Sequence, residues 1–345
     1  MENDSVNRRT LLLGTGAALG AGMLLPQRPA LAQAATITGA GASFPRPVYE
    51  RWGQAAREPL SVTLNYQSIG SGGGVNQITN RTVDFGASDA PLPEAQLRER
   101  NLLQFPTVMG SVVVIVNLPG VADNALKLTP EVLADLFLGR ITRWNDARIA
   151  ELNRDLRIPN LPVSPVYRAD SSGTTFVFTS YLARTSEAWK SGPGAATSVQ
   201  WPVGQGQRGN EGVSNGVRNT PGAIGYTENA YATVNRLVTT QLRNKAGNFV
   251  KPTPESGAAT LASVELPANL RIWPEDPTGA QDYPIATFTW VLLYKKYPDA
   301  AKLKALKDFV TYGLTDGQKV APELGYIPLP APVVEKCKAA LATVQ

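Results

Sequence analysis

Serine, threonine and arginine stand beside glycine at several points of this chain, and each point could hold an anion. The first is Thr38-Gly39-Ala40-Gly41-Ala42-Ser43-Phe44-Pro45. A proline at a helix start lacks only an N–H that would be unpaired there anyway. Ser43 then falls near the N-cap, where its hydroxyl and the N–H groups of Ser43 and Phe44 can face an anion, or simply cap the helix. The second is Ile69-Gly70-Ser71-Gly72-Gly73-Gly74-Val75. Three consecutive glycines carry an entropic cost that a plain turn rarely needs, so they suit a backbone that approaches a ligand closely, with Ser71 offering a hydroxyl.

The third run, Asp84-Phe85-Gly86-Ala87-Ser88-Asp89-Ala90-Pro91, is a strand ending in an acidic residue that could equally cap a helix. The fourth is Tyr167-Arg168-Ala169-Asp170-Ser171-Ser172-Gly173-Thr174-Thr175-Phe176. Here a planar cation precedes a hydroxyl-rich helix start, and both suit a tetrahedral oxyanion. Asp170 could hold the guanidinium, or the two could be a surface pair beside a capped helix. Together the four runs supply mostly neutral donors, with one arginine and one carboxylate. A site of that kind can bind an oxyanion tightly through hydrogen bonds and helix ends. Asp89, if it faces the site, would repel any anion that has no proton to donate. Phosphate near neutral pH carries one or two protons, and sulfate carries none.

Such residues need elements to carry them. Strand-like runs include Thr36–Thr38, Val62–Tyr66, Val83–Ala87 and Ser111–Val116; helix-like runs include Pro47–Ala56, Gly74–Thr79, Pro93–Arg100, Pro130–Phe137, Thr174–Ala183 and Ala300–Tyr312. The alternation describes an α/β protein with largely parallel sheets. The glycine and serine clusters fall where strands hand over to helices, which is where open α/β sheets bind ligands.

The length, 345 residues, exceeds what one core usually organises and implies two domains. Hydrophobic residues make up 43% and charged residues 18%, and the net charge of +5 is scattered rather than blocked. No run of Lys and Arg marks a nucleic-acid arm. The chain has no histidine, the commonest general base and transition-metal ligand. Its single cysteine, Cys337, excludes an internal disulfide and a cysteine-cluster metal site, and reads as a small apolar residue on the last helix. No catalytic residue, metal ligand or cofactor is assigned.

Residues 1–32 read as a signal peptide. Arg8-Arg9 precede an uncharged stretch from Leu11 to Leu25, and Ala30-Leu31-Ala32 suits cleavage before Gln33. The stretch is too short and too rich in Gly and Ala for a good membrane span. The paired arginines followed by Thr10-Leu11-Leu12 resemble a twin-arginine signal. No cysteine lies near the cleavage point, so a lipid anchor is not expected. Removing residues 1–32 takes away three arginines and two acidic residues and leaves +4.

In this order, the four segments closely resemble the phosphate-binding subunit of the bacterial phosphate-specific ABC transporter. Asn65-Tyr66-Gln67-Ser68-Ile69, Pro221-Gly222-Ala223-Ile224-Gly225-Tyr226 and Gly325-Tyr326-Ile327-Pro328-Leu329 extend the likeness along the mature chain. The resemblance implies a two-lobed periplasmic binding protein fold (type II), α/β in class, with a ligand cleft between lobes. Lobe one would hold residues 35–112 plus 285–345, and lobe two residues 113–284. The family's phosphate contacts fall on Ser43, Phe44, Ser71, Asp89, Arg168, Ser172, Gly173 and Thr174, with Asp170 pairing the arginine. The implied function is high-affinity binding of inorganic phosphate in the periplasm, by a monomer that delivers it to an inner-membrane phosphate ABC permease. The segment Lys245–Pro277 does not follow the family pattern. Two other readings stay open on the residues alone. One is an exported phosphatase or phosphodiesterase with a serine nucleophile, which would lack a histidine base. The other is a binder of sulfate, molybdate or tungstate, against which Asp89 argues.

Overall fold

The structure, a computed structural model, describes residues 34–262, 264, 267, 269–271 and 277–345. The expected signal peptide, residues 1–32, lies outside them, as does part of Lys245–Pro277. Nine strands form one mixed sheet. In chain order they are β1 (Ala35–Gly41), β2 (Val62–Ser68), β3 (Phe85–Ser88), β4 (Leu102–Val116), β5 (Ser164–Arg168), β6 (Gln205–Gln207), β7 (Ala223–Glu228), β8 (Val238–Thr239) and β9 (Ala286–Tyr294). Their spatial order is β2-β1-β3-β9-β4-β7-β5-β6, with β8 also on β4. Pairs β1–β2, β1–β3, β5–β6 and β5–β7 are parallel, while β4 and β9 join the halves through antiparallel pairs.

β4 is the spine of this arrangement. Its first part, from Leu102 to Ser111, pairs with β9, and its last part, from Val112 to Val116, pairs with β7 and β8. The run Val112-Val113-Val114-Ile115-Val116 is wholly buried, as expected of a β-branched central strand covered on both faces. The strand starts nine residues before the stretch legible as extended. Pro106 hides that beginning, because proline cannot donate to a ladder. It is tolerated here beside an irregularity, where the register slips between Thr289 and Trp290 and Pro106 faces Trp290.

Helices lie over the sheet, among them Arg46–Ala56, Ser71–Thr79, Gly173–Thr185, Gly209–Asn219, Asn229–Asn235 and Ala300–Leu314. The helical spacing of Val48, Trp52 and Ala55 in the first implies one buried face; Val48, Tyr49, Trp52 and Ala56 are buried, whereas Ala55 is exposed. The C-terminal helix, Ala331–Ala342, buries Cys337. Its thiol lies 3.4 Å from the Pro106 carbonyl oxygen. Among the described residues, no helix is long and apolar enough to cross a membrane.

The triple glycine differs from expectation. Gly72, Gly73 and Gly74 lie inside the Ser71–Thr79 helix rather than in a loop. Their smallness serves contact with other protein segments. A Cβ on Gly74 would stand 2.4 Å from the Gly41 Cα, and one on Gly72 would stand 2.2 Å from the Ser171 hydroxyl oxygen. Gly70, at φ +83°, makes the left-handed turn that starts the helix.

Candidate functional site

The four segments converge at the carboxyl ends of β1, β3 and β5. Ser43, Phe44, Ser71, Asp89, Arg168, Ser172 and Thr174 are all at most 3% exposed, and Gly173 is buried with them. The site is therefore shielded from bulk solvent, and every polar group in it needs a partner.

Ser43 does not cap a helix. The Arg46–Ala56 helix starts after Pro45 with no side-chain cap. The Ser43 Oγ instead accepts the Asn210 N–H at 3.0 Å, and the Ser43 carbonyl accepts the Tyr231 hydroxyl at 2.7 Å. That carbonyl shares a peptide plane with the Phe44 N–H, so Tyr231 both aligns and polarises this donor. Ser71 Oγ accepts two backbone N–H groups, from Gly173 at 2.9 Å and from Asp89 at 3.3 Å. A hydroxyl has one proton and two lone pairs. With its lone pairs occupied, Ser71 can only donate onward.

Asp89 does not cap a helix either, since the next helix begins at Glu94 behind Pro93. Its Oδ1 accepts the Thr289 hydroxyl at 2.8 Å, and its Oδ2 accepts the Thr174 hydroxyl at 3.3 Å. Burial pushes the carboxyl up to about 7, against the Thr289 hydrogen bond, the charge of Arg168 and the Thr174 hydrogen bond, which hold it down. Asp89 thus stands poised between acid and carboxylate at neutral pH.

Arg168 and Asp170 form a buried pair rather than a surface one, with side-chain exposures of 1% and 12%. Nε and Nη2 of Arg168 donate to the two carboxylate oxygens at 2.8 and 2.5 Å, and the Gly209 N–H adds a third bond to Asp170 at 3.1 Å. Burial opposes the charge on the guanidinium, but the Asp170 hydrogen bond and charge outweigh it, and its pKa is raised. The Asp170 carboxyl is likewise held below its usual value, against its own burial, by Arg168 and by the Gly209 N–H. Nη1 reaches Asn210 Oδ1 at 3.5 Å. Three of five guanidinium donors are so used, which leaves two for another acceptor.

Ser172 is the N-cap of the Gly173–Thr185 helix, its Oγ accepting the Thr175 N–H at 3.0 Å. Its own proton remains to be donated, and the helix N-terminus adds partial positive charge. Sequence reasoning missed three contributors. Asn210, wholly buried, opens the Gly209–Asn219 helix and bridges Ser43, Thr174 and Arg168. Thr289 and Tyr231 hold Asp89 and the Ser43–Phe44 peptide. The signal for Asn210 was an Arg208-Gly209-Asn210 helix start of the same glycine-plus-polar type as the other four.

Buried hydroxyls, a held guanidinium and a helix end together make a set suited to cradle an oxyanion, in a two-lobed periplasmic-binding-protein fold. The model of the PBP superfamily domain matches residues 26–316. A phosphate-binding protein PstS of Pasteurella multocida is 45% identical over 309 residues, spanning 89% of this chain and 90% of that protein. The phosphate-binding protein PstS of Haemophilus influenzae is 44% identical over 309 residues, spanning 89% and 92%. The chain belongs to this family of phosphate-binding proteins. Among solved structures, a high-affinity periplasmic phosphate-binding protein bound with phosphate superposes with a TM-score of 0.70 at 22% identity, covering 88% of this chain and 93% of its own. A phosphate-binding protein from Stenotrophomonas maltophilia gives 0.70 at 22% identity, covering 89% and 94%. At that identity, the likeness concerns the fold.

Proposed function

We propose that this chain binds inorganic phosphate in the cradle and delivers it to an inner-membrane phosphate ABC permease, with no chemical step. One observation carries the reading: Asp89 is a buried carboxyl set among hydroxyls, backbone N–H groups and the Arg168 guanidinium. An oxyanion that brings its own proton satisfies both kinds of group, and phosphate does so. The ligand-facing set is Ser43, Phe44, Ser71, Asp89, Arg168, Ser172, Gly173 and Thr174, with Asp170 holding the arginine. The Gly173 N–H, which bonds Ser71 Oγ, shares itself with the anion in this reading.

The change of partners along β4 at Ser111/Val112 and the return at β9 support lobes of residues 35–112 plus 285–345 and of residues 113–284. Residues 1–32 serve as an export signal, and the mature chain works as a periplasmic monomer. A serine nucleophile finds no support here, because Ser43 and Ser71 accept backbone N–H groups and the Asp89 carboxyl is bonded to threonines. Isothermal titration of the mature protein with phosphate, then with sulfate, tests the proposal. Tight phosphate binding without measurable sulfate binding is expected; no phosphate binding ends the reading.

A further inference from the structure

Behind the cradle lies a carboxyl that none of this uses. Glu228 ends β7, is 0% exposed, and pairs in register with Val112 where β4 changes partners. Its Oε2 accepts the Ala230 N–H at 2.8 Å. Its Oε1 has no hydrogen-bond partner, and it faces Gly110, where an added Cβ would stand 3.1 Å away beside the Phe44 ring. The Tyr326 hydroxyl, also wholly buried, lies alongside this carboxyl.

Proton counting decides what the contact is. A tyrosine has one hydroxyl proton, and Tyr326 gives it to the Phe44 carbonyl oxygen at 2.5 Å. A carbonyl can only accept, so that proton cannot also serve Glu228. A carboxylate would then meet the phenol lone pairs with one oxygen unsatisfied in a dry interior, where a buried acid takes up a proton instead. Among the described residues, the titratable groups that act most strongly on Glu228 include no cation. They are Asp89, whose charge opposes ionisation, and the phenols Tyr326 and Tyr231.

We propose that Glu228 is a neutral acid whose O–H donates to the Tyr326 hydroxyl oxygen, forming a relay from Glu228 through Tyr326 to the Phe44 carbonyl. Glu228 is thus a positioning residue. It fixes the turn whose Phe44 N–H faces the anion, and it does so from the segment where β4 passes between lobes. The proposal rests on the phosphate reading for its consequence in binding, although the relay itself does not. Burial holds the carboxyl well above its ordinary value, with the Ala230 N–H hydrogen bond working the other way. The sign follows. A carboxyl whose pKa is raised in the folded protein loses its contribution as pH rises above the ordinary carboxylate range.

The test compares wild type, Glu228→Gln, Glu228→Met and Tyr326→Phe in the full mature chain, by phosphate titration and by thermal unfolding from pH 5 to 9. Glutamine keeps both bonds, donating through its amide and accepting from Ala230. It is expected to rescue phosphate affinity to within about threefold of wild type, while Glu228→Met and Tyr326→Phe each lose roughly tenfold, the size of one net hydrogen bond. The double variant Glu228→Met/Tyr326→Phe is expected to lose little more than either single, because the relay is one unit. Above pH 5 the unfolding constant of wild type is expected to rise relative to Glu228→Gln, by at most about tenfold per pH unit. Additive losses, or parallel pH profiles for wild type and Glu228→Gln, overturn the relay. A wild type that fails to bind phosphate while the profiles still diverge removes the phosphate reading and leaves the relay standing.

Discussion

The wall of the cradle built from residues 43–89 and the wall built from residues 168–210 are equally buried, yet they are chemically unlike. The first offers two hydroxyls and a carboxyl, and no cation. The second offers a guanidinium locked by Asp170, a helix start at Gly173 and the amide of Asn210. Each wall also orders the other: Gly173 N–H fills a lone pair of Ser71, and Asn210 N–H fills one of Ser43. In the proposed reading, attraction for an anion therefore resides on the later wall and discrimination on the earlier one.

The largest expected effect tests the discriminating wall. A site built around a ligand hydroxyl can reject an analogue without one by roughly 10⁴-fold or more. Wild type is expected to prefer phosphate to sulfate most strongly above about pH 7, where Asp89 is ionised and can only accept. Asp89→Asn presents an amide donor, so the gap is expected to shrink, chiefly through a gain for sulfate. The pH dependence has a definite sign. The Asp89 carboxyl, pushed up to about 7 by burial, becomes a donor when protonated. Sulfate binding by wild type is therefore expected to strengthen as pH falls through about 7, by no more than about tenfold per unit. Asp89→Asn is expected to show no such slope. Titrations of both proteins with sulfate at pH 6 and 8 decide it, and equal slopes would move selectivity off Asp89.

Next comes the attracting wall. Arg168→Ala removes two remaining donors on a full charge and strands Asp170 in a buried setting. Hydrogen bonds to charged groups contribute about 1.5–3 kcal/mol, so phosphate affinity is expected to fall roughly ten- to 150-fold. Arg168→Lys is expected to recover part of this, because a point charge cannot reproduce the two-pronged contact with Asp170. Unchanged affinity in Arg168→Ala, measured by titration, would place attraction elsewhere.

Asn210→Ala should cost less. Its side-chain bonds to Arg168 and Thr174 are both long, at 3.5 Å, and the backbone bond to Ser43 survives the substitution. A loss of about 0.5–1.5 kcal/mol is expected, equally for phosphate and for any weakly bound competitor. A selective change would make Asn210 part of the discriminating wall.

How much of this was legible in the chain differs by residue for physical reasons. Arg168, Asp170 and the Ser172–Thr174 helix start lie within seven positions, so their chemistry is local and readable. Asp89 was readable as a carboxyl at a strand end, but not as a buried acid near its neutral point. That property comes from Thr289, which β9 brings beside β3 by pairing Trp290 with Ser88, 200 positions on. Asn210 and Tyr231 were silent in the same way, since nothing in Ser43-Phe44-Pro45 announces the groups that meet it across the cleft. The glycines of Gly72-Gly73-Gly74 read as allowing close approach to a ligand. What approaches is the β1 backbone and Ser171, which no local pattern could name. The α/β class and most element centres were visible from alternation, whereas the front half of β4 was concealed by Pro106.

The smallest expected effect lies at the rim, where the walls meet water. Arg46 Nη1 and the Ser68 hydroxyl both bond Glu211 Oε1, at 3.1 and 3.2 Å, and so link the Arg46–Ala56 helix to the Gly209–Asn219 helix. These are the same two segments that Asn210 N–H and Ser43 Oγ join deeper inside. The ion pair is 40% and 36% exposed, so water and salt screen it, and pairs of this kind contribute about 0–1 kcal/mol. Glu211→Gln keeps an acceptor for Ser68 and removes only the charge. Phosphate affinity is therefore expected to fall less than about fivefold at low salt, through faster release rather than slower capture, because a contact made after the walls meet acts on opening. Raising ionic strength toward about 1 M, where screening acts within roughly 3 Å, should erase the difference between the two proteins. Stopped-flow release rates at low and high salt provide the measurement. If Glu211→Gln instead costs more than Asn210→Ala and the cost survives high salt, closure is governed at the rim. The division between an attracting and a discriminating wall would then explain selectivity alone.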